Sequence, residues 1–279
     1  MKKILTIQDI SCLGKCSLTV ALPLLSALGN ETVILPSALL STHTMFKDFT
    51  FKDLSDQMLP ICKHWQKEQV KFDAIYTGYL GNKEMIETVK QIISEFKTTD
   101  TMVFIDPVMA DNGKLYPGFD TEYAAENASL CALADMIVPN ISEACFLTGI
   151  PYQEEYDEAY IKRLLKGLLD LGAQNVIITG VSLSANKTGV YAYEKANDQV
   201  IIYQNALVEA CYHGTGDIFS STLIGCLTQG IKLESALKIA ADYTADTISV
   251  TLENSDKPWY GVDFEKTLPD LIKTVTSIK

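Results

Sequence analysis

Short apolar runs alternate along the chain with longer segments in which apolar residues recur at helical spacing. The apolar runs predict buried strands at residues 4–7, 32–35, 74–77, 103–105, 135–138 and 175–179. The longer segments predict helices at residues 17–28, 54–67, 83–96, 141–147, 158–171, 215–227, 233–251 and 264–278. Strands that alternate with helices in this way are typical of right-handed strand–helix–strand units and a parallel sheet.

Two more strands, at residues 189–193 and 199–203, have no helix between them, which predicts an antiparallel pair at the far edge of the sheet. Polar segments predict loops at residues 8–16, 37–44 and 109–118. No repeat, low-complexity run or linker interrupts the order of elements. We therefore predict one α/β domain over residues 1–279.

The composition supports a large core and limits the classes of partner. Hydrophobic residues make up 47% of the 279 positions, enough for one large domain. A formal net charge of −12 argues against binding to nucleic acid or to an anionic membrane. No apolar run approaches the roughly 20 residues of a membrane span, and the first residues predict a strand rather than a signal peptide. We expect a soluble, cytoplasmic protein that holds anionic ligands locally.

The cysteines and histidines do not form a metal-binding pattern. The seven cysteines are odd in number and scattered, which fits reduced thiols better than a disulfide framework. His43, His64 and His213 are equally dispersed. Cys12 and Cys16 lack the second ligand pair that a zinc site requires. The sequence therefore predicts no zinc site.

Two nucleotide-binding motifs are excluded by their spacing. The segment from Gly14 to Ser17 superficially resembles a P-loop, but that motif needs a glycine at position 9, where this chain has Asp9. No Gly-x-Gly-x-x-Gly follows the first strand either. A phosphate site must therefore be sought elsewhere in the chain.

A better candidate is the tetrapeptide Gly214-Thr215-Gly216-Asp217, which opens directly into a predicted helix. The glycines allow consecutive backbone N–H groups to point at one spot, where the helix dipole adds partial positive charge that suits a phosphate. A carboxylate beside a phosphate suits a base that takes a proton from an attacking hydroxyl group. The same residues are also compatible with a plain loop in which Asp217 caps the helix, and the local sequence leaves both interpretations open.

Polar residues also follow two of the predicted strands, at the edge where parallel sheets bind ligands. Asp106 follows the strand at 103–105, and Asn140 and Glu143 follow the strand at 135–138. Their oxygens are suited to a hydrated Mg²⁺ ion carried by a phosphate. The alternatives are that Asp106 forms a turn and that Asn140 and Glu143 form a capping box.

Taken together, the motifs resemble the ribokinase superfamily, and within it the kinases of vitamin B6. The resemblance extends over nearly the whole chain. It is carried by Thr6-Ile7-Gln8-Asp9, Ser41-Thr42-His43-Thr44, Thr77-Gly78-Tyr79-Leu80-Gly81, Ile105-Asp106-Pro107-Val108-Met109, Pro139-Asn140-x-x-Glu143 and Gly214-Thr215-Gly216-Asp217. The last of these marks the superfamily, whereas the His-Thr pair and the Gly-Tyr-Leu-Gly turn are similar to the B6 kinases.

The resemblance implies a ribokinase-like three-layer αβα sandwich with a central, mostly parallel sheet and antiparallel edge strands. It implies a pyridoxal kinase that uses ATP to phosphorylate the 5′-hydroxymethyl group of pyridoxal, pyridoxine or pyridoxamine. Asp217 would be the general base, and the amides of Gly214, Thr215 and Gly216 would stabilise the transferred phosphoryl group. Such kinases use Mg²⁺, often K⁺ as well, and are commonly homodimers. Nothing in the chain identifies ligands for K⁺.

The resemblance also implies the remaining site residues. ATP is expected at Asp106, Asn140, Glu143 and Thr179. Mg²⁺ is expected at Asp106 and Glu143, with Asp111 as a further neighbour. The vitamer is expected at Asp9, His43, Thr44 and Tyr79, where the histidine would pack on the pyridine ring or hydrogen-bond to it.

Asp9 departs from the B6 kinases, many of which have serine at this position. An aspartate at this position resembles the sequences of the hydroxymethylpyrimidine kinases. Its carboxylate would pair with a protonated ring nitrogen or an amine of the substrate. A hydroxymethylpyrimidine (phosphate) kinase is therefore the nearest alternative. A non-catalytic B6-binding protein is the second, although such a protein has no need of a base at Asp217. The sequence does not determine the preferred vitamer.

Overall fold

The computed structural model describes residues 1–210 and 212–278. Two compact units divide the chain: Met1–Ala74 with Leu207–Lys279 form the first, and Ile75–Ala206 form the second. The prediction of a single domain stays a prediction. Each unit combines strands and helices, and each contains part of the predicted site.

The first unit contains strands from the start of the chain and helices from both of its segments. Its N-terminal segment forms β1 (Lys3–Leu13), α1 (Leu18–Ala27), β2 (Glu31–Thr42), β3 (Phe51–Asp53) and α2 (Ser55–Lys67). Its C-terminal segment forms α7 (Thr215–Thr228), α8 (Leu233–Glu253) and α9 (Phe264–Ile278), which are numbered after the helices of the second unit. β1 pairs in parallel with β2, and β3 pairs antiparallel with β2 as an edge strand. α7 packs against α1 and α8.

The second unit contains the remaining strands and helices. They are β4 (Ala74–Thr77), α3 (Lys83–Phe96), β5 (Met102–Ile105), β6 (Ala110–Asp111), β7 (Lys114–Leu115), α4 (Thr121–Cys131), β8 (Met136–Ile137), α5 (Ile141–Thr148), α6 (Glu158–Asp170), β9 (Asn175–Ser184), β10 (Lys187–Glu194), a 3₁₀ turn (Lys195–Asn197) and β11 (Gln199–Ala206). β5, β8 and β9 are parallel, whereas β10 is antiparallel to both β9 and β11. The predicted fold class, a mostly parallel sheet with antiparallel edge strands and flanking helices, is confirmed.

Apolar strands and capped helices explain why these elements form. Ile4, Leu5 and Ile7 of β1 are completely buried, as are Val176 and Ile178 of β9. Burial on both faces is what a parallel sheet covered by helices requires. In the second unit, α3 to α6 each begin after a side chain that accepts the backbone N–H three residues ahead, namely Asn82, Asp120, Asn140 and Asp157.

Several element predictions were wrong. The predicted loops at 8–16 and 37–44 are largely strand, because β1 continues to Leu13 and β2 continues to Thr42. Each segment contains a serine that is buried in a pair of strands rather than exposed in a turn, namely Ser11 and Ser37. The predicted loop at 109–118 contains the small hairpin of β6 and β7, and the sequence pattern missed helix α4.

The structure also shows the cysteines and helices to which the expectations of reduced thiols and of no membrane span apply. Cys12, Cys16, Cys62, Cys131, Cys145 and Cys226 are free thiols, and Cys211 lies outside the described residues. Among the helices that the structure describes, none combines the length and the apolar character that crossing a bilayer requires.

Candidate active site

Asp217 lies in the first turn of α7 and is held by the backbone that precedes α1. Its Oδ2 accepts the N–H of Ser17 at 2.9 Å. Gly214 is the N-cap of α7 and has a left-handed backbone, with φ of 85°. The interpretation of Asp217 as the cap of its helix is therefore wrong, because the N-cap is a glycine and Asp217 is the third residue of α7.

Gly214 is required by the close approach of another backbone segment. A Cβ atom built on Gly214 would lie 1.9 Å from the carbonyl oxygen of Lys15, so no other residue fits without moving the chain. A Cβ atom built on Gly216 would have no described atom within 4 Å. The first amides of any helix lack carbonyl partners within the helix. Gly216 therefore leaves open space beside the first turn of α7, as an anion site requires.

Ser17 connects Asp217 to Asp9. Its backbone has φ of 49° and ψ of −133°, a conformation that residues other than glycine rarely adopt. In this conformation the Ser17 N–H donates to Asp217, and the Ser17 side chain lowers the pKa of Asp9. The Ser11 Oγ donates to Asp9 Oδ2 at 3.0 Å. Two predicted site residues are thus brought together by a residue that the sequence pattern did not single out.

The Asp9 carboxyl is only 4% exposed. Burial raises its pKa, and the hydrogen bonds from Ser17 and Ser11 only partly oppose this effect. A buried carboxyl group of this kind is stabilised in its charged form by a cationic partner. Asp9 is therefore suited to a ligand that carries a protonated nitrogen.

His43 has its tautomer fixed by the backbone. Its Nδ1 accepts the Met45 N–H at 3.3 Å, so the ring proton lies on Nε2, which donates to the carbonyl oxygen of Tyr260 at 3.1 Å. Burial lowers the His43 pKa, which favours this neutral form. Because both ring nitrogens already have backbone partners, His43 presents an aromatic surface rather than a free hydrogen-bonding group. Thr44 follows it in an exposed turn.

The aromatic rings of His213, Phe46 and Trp259 lie around His43. The His213 ring lies 4.5 Å from the His43 ring between centroids, and Phe46 lies at 4.9 Å and Trp259 at 6.0 Å. Burial, with a smaller contribution from His43, lowers the pKa of His213 to about 4. His213 is therefore neutral at physiological pH. It directly precedes Gly214, so the contact between the two histidines connects the predicted substrate residues of the first unit to the predicted phosphate loop.

In the second unit, Asp106 and Glu143 form a pair of buried carboxyl groups, 6% and 3% exposed. Glu143 Oε1 accepts the Met109 N–H at 3.1 Å, and its Oε2 accepts the Asn140 N–H at 2.8 Å. Burial and the negative charge of Asp106 raise the Glu143 pKa well above its usual value. A divalent cation would relieve this repulsion.

Asn140 and Glu143 form the predicted capping box, since Asn140 Oδ1 accepts the Glu143 N–H at 2.9 Å. The Asn140 side chain also donates to the Ala110 carbonyl at 2.8 Å. Thr179 lies beside Asn140 through an isolated parallel bridge, and its N–H donates to the Pro139 carbonyl at 3.0 Å. In the second unit, Asp106 thus follows β5, Asn140 and Glu143 follow β8, and Thr179 lies within the neighbouring strand β9.

Tyr79 lies in the same unit, with its ring centroid 5.6 Å from that of Phe119. Phe119 in turn stacks on Tyr123 at 3.8 Å, and the Tyr123 hydroxyl donates to the Leu80 carbonyl at 2.6 Å. This stack fixes the Tyr79 turn. Across residues 1–210 and 212–278, no group of three or more His, Cys, Asp or Glu side chains forms a ready-made metal site.

Sequence reasoning missed several residues that shape the first unit's site, namely Lys15, Ser17, Phe46, His213, Trp259 and Tyr260. One available signal was the Trp259-Tyr260-Gly261 segment, because a pair of aromatic residues in a loop near glycine and proline is unusual in a solvated connection. The role of Ser17 had no such signal, since nothing in the sequence predicts a left-handed serine.

Comparison with known proteins identifies the family. The family model described as "Phosphomethylpyrimidine kinase" matches residues 38–259. Among curated proteins, the hydroxymethylpyrimidine/phosphomethylpyrimidine kinase of Haemophilus influenzae is 35% identical over 192 residues, which are 66% of this chain and 69% of that protein.

Solved structures extend the likeness to the whole chain. A Bacteroides thetaiotaomicron protein assigned as a phosphomethylpyrimidine kinase, in a crystal form with pyridoxal, has a TM-score of 0.92 and 40% identity, covering 97% of this chain and 95% of that one. The pyridoxal kinase of Lactobacillus plantarum has a TM-score of 0.89 and 30% identity, covering 100% of this chain and 98% of that one. The predicted resemblance to the ribokinase superfamily is confirmed.

The lowered pKa of His213 predicts a loss of stability in mild acid. Between pH 6.5 and about 4, the unfolded chain binds a proton at this position that the folded chain does not bind. The free energy of unfolding should therefore fall as the pH drops through this window, and His213→Gln should reduce the fall by roughly 2 kcal/mol. Urea unfolding at several pH values measures this difference. The exposed His64→Gln is the control, and equal pH dependence in wild type and His213→Gln would contradict the prediction.

Proposed function

Because the chain belongs to the phosphomethylpyrimidine kinase family, we propose that it transfers the γ-phosphoryl group of ATP to the 5′-hydroxymethyl group of a vitamin B6 vitamer. The observation that carries this proposal is the placement of Asp217. Its carboxylate lies in the first turn of α7, hydrogen-bonded to the Ser17 N–H, and the adjacent Gly216 leaves open space beside this turn.

Asp217 acts as the general base in this proposal. A hydrogen bond donated to a carboxylate favours its charged form and fixes its orientation, and both effects suit a group that must accept a proton from an alcohol. The vitamer hydroxyl group gives its proton to Asp217 while the hydroxyl oxygen forms a bond to the γ-phosphorus of ATP. The bond between the γ-phosphorus and the oxygen that bridges it to the β-phosphate breaks, and ADP leaves.

The amides of Gly214, Thr215 and Gly216 stabilise the transferred phosphoryl group. Phosphoryl transfer depends mainly on positioning and on stabilising negative charge, and the N-terminus of α7 supplies both. Glycine at position 214 permits the close contact with Lys15, whereas glycine at position 216 leaves space for the phosphoryl oxygens.

The residues of the first unit that hold the vitamer are Asp9, His43 and Thr44, and the role of Tyr79 stays a prediction. His43 packs on the pyridine ring, because both of its nitrogens are already paired with the backbone. Asp9 provides the charged contact, through a protonated ring nitrogen or an amine. Burial of Asp9 strengthens that contact because the local dielectric constant is low.

Asp106, Asn140, Glu143 and Thr179 serve ATP and its Mg²⁺ ion. The two buried carboxyl groups of Asp106 and Glu143 repel each other, so their chemistry fits a divalent cation. Each Glu143 oxygen already accepts one backbone N–H, which favours contact with the ion through water. When bound, Mg²⁺ would neutralise charge on the phosphates of ATP.

The choice of a B6 vitamer rests on the relative of known structure that contains pyridoxal and is 40% identical to this chain. A specific observation also favours the second candidate, a hydroxymethylpyrimidine (phosphate) kinase: the Haemophilus influenzae relative with that activity in its name is 35% identical over 192 residues. Asp9 is compatible with an aminopyrimidine as well. The two candidates share the base and the phosphoryl-binding amides.

Removing the proposed base tests the mechanism. Asp217→Asn should lower kcat for pyridoxal at least about 100-fold, the scale expected for loss of a general base, and should largely retain ATP binding. Steady-state kinetics and equilibrium titration with ATP measure the two quantities. Glu234→Gln is a matched control, because it removes an acidic residue from the first turn of α8. Near-wild-type turnover by Asp217→Asn would remove this residue from its role.

Neutralising Asp9 tests the recognition of the substrate. Asp9→Asn should lower kcat/KM for pyridoxamine relative to pyridoxal by about 10-fold, because it removes a charge partner for the amine. The measurement is kcat/KM for pyridoxal, pyridoxine, pyridoxamine and hydroxymethylpyrimidine with wild type and variant. Unchanged ratios among the four substrates would show that Asp9 does not set the preference.

The proposed cation site predicts a response to Mg²⁺ without nucleotide. At about pH 8, millimolar Mg²⁺ should raise Tm by about 2–4 °C, the change that ~1 kcal/mol of binding gives in a protein of this size. Asp106→Asn should abolish the rise, whereas Asp100→Asn, an exposed position in the turn before β5, should keep it. Differential scanning calorimetry measures Tm. An equal rise in Asp106→Asn and wild type would exclude Asp106 from the site.

A further inference from the structure

A turn before α1, residues 14–17, contacts both parts of the proposed catalytic machinery in the first unit. The Lys15 carbonyl packs against Gly214, and the Ser17 N–H donates to Asp217 at 2.9 Å. The turn is further closed by the Thr19 hydroxyl, which donates to the Gly14 and Cys16 carbonyls at 3.1 and 2.7 Å. The position of this turn therefore determines the position of the Asp217 carboxylate.

The Lys15 side chain anchors the turn to the beginning of α9. Its Nζ lies 3.0 Å from Asp263 Oδ1 and 2.8 Å from Glu265 Oε2, and it lies 5.9 Å from the centre of the Phe264 ring. The Lys15 and Asp263 side chains are only 16% and 9% exposed. Gly261 permits this contact, because a Cβ atom there would lie 2.5 Å from Lys15 Cβ.

Asp263 is itself held rigidly. Its Oδ2 accepts hydrogen bonds from Lys266 at 2.8 Å and from Asn254 at 2.7 Å, and its N–H donates to Thr251 Oγ1 at 2.8 Å. Burial alone would raise the Asp263 pKa, but its contacts with Lys266, Lys15 and Asn254 outweigh burial and lower it to about 2. Asp263 thus stays charged over the working pH range and offers Lys15 a fixed partner.

We propose that Lys15 is a positioning residue for the base Asp217, acting through the backbone of Ser17, an inference that rests on the proposed function. The ion pairs of Lys15 with Asp263 and Glu265 hold the turn against Gly214. The Ser17 N–H is thereby kept in line with the Asp217 carboxylate.

The backbone of Ser17 supports the need for an anchor. A residue with a Cβ atom at φ of 49° and ψ of −133° is strained, and such a conformation persists only where the surrounding structure enforces it. Released from its anchor, the turn would relax toward an ordinary conformation. The Ser17 N–H would then point away from Asp217.

Two other titratable groups interact with this region. The Cys16 thiol is buried, and burial together with the charges of Asp217 and Asp9 raises its pKa, so it stays protonated. Asp9 shares the Ser17 hydroxyl. Both groups remain in every variant considered below, so a difference between the variants reports on Lys15.

The experiment compares Lys15→Met with Lys266→Met. Both variants remove a cation that contacts Asp263, but only Lys15 belongs to the turn. We expect Lys15→Met to lower kcat about 10-fold or more with KM for ATP and vitamer within about 2-fold of wild type, because misplacement of a catalytic group affects the transition state most. Lys15→Arg should recover most of the activity, and Lys266→Met should retain wild-type kcat.

A second measurement needs no substrate. The Asp217 carboxyl is titrated by ¹³C NMR in the wild type and both methionine variants, and its midpoint should rise by about half a pH unit or more only in Lys15→Met, through loss of the Ser17 hydrogen bond. An unchanged midpoint in Lys15→Met, or an equal rise in Lys266→Met, would overturn the inference. Failure of the wild type to phosphorylate any vitamer would instead overturn the proposed function, and the titration would still decide the role of Lys15.

Discussion

The hydrogen bond from the Ser17 N–H to Asp217 is the interaction on which the first unit's site depends. It joins the beginnings of α1 and α7, two helices that pack against each other. Neither helix start is ordinary, since Ser17 and Gly214 both have left-handed backbones. These conformations let one turn provide a carbonyl contact for Gly214 and a donor for Asp217.

In both units, carboxyl groups of the predicted site are stabilised by backbone or hydroxyl donors. Asp9 accepts Ser11, Asp217 accepts Ser17, and Glu143 accepts Met109 and Asn140. Local donors of this kind allow these carboxyl groups to be packed into a chain with a formal net charge of −12. The adjacent, neutral rings of His43 and His213 add aromatic surface without adding charge.

The sequence predicted the parts of the site that depend on local chemistry. Gly214 was predictable because a glycine before a helix indicates a close approach or a left-handed residue. The capping box of Asn140 and Glu143 was predictable from its spacing alone. The extension of β2 to Thr42 was not, because hydroxyl residues in a buried strand resemble a polar loop until their partner strand is known.

Long-range contacts were beyond the sequence pattern. Lys15 and Asp263 are separated by 248 positions, and nothing in either local sequence indicates that they form an ion pair. The neutral tautomer of His43 depends in the same way on the carbonyl of Tyr260, 217 positions away. Such contacts follow from the packing of the C-terminal helices. Hydrophobic periodicity predicts that these helices exist but not where they pack.

The central claim, that this kinase acts on a B6 vitamer, is tested most directly by competition in one reaction. Equal concentrations of pyridoxal and hydroxymethylpyrimidine phosphate are incubated with the protein, ATP and Mg²⁺, and the products are identified by ³¹P NMR and mass spectrometry. Our account predicts that pyridoxal 5′-phosphate accumulates first and in excess. Accumulation of the pyrimidine diphosphate, with pyridoxal left unphosphorylated, would contradict it.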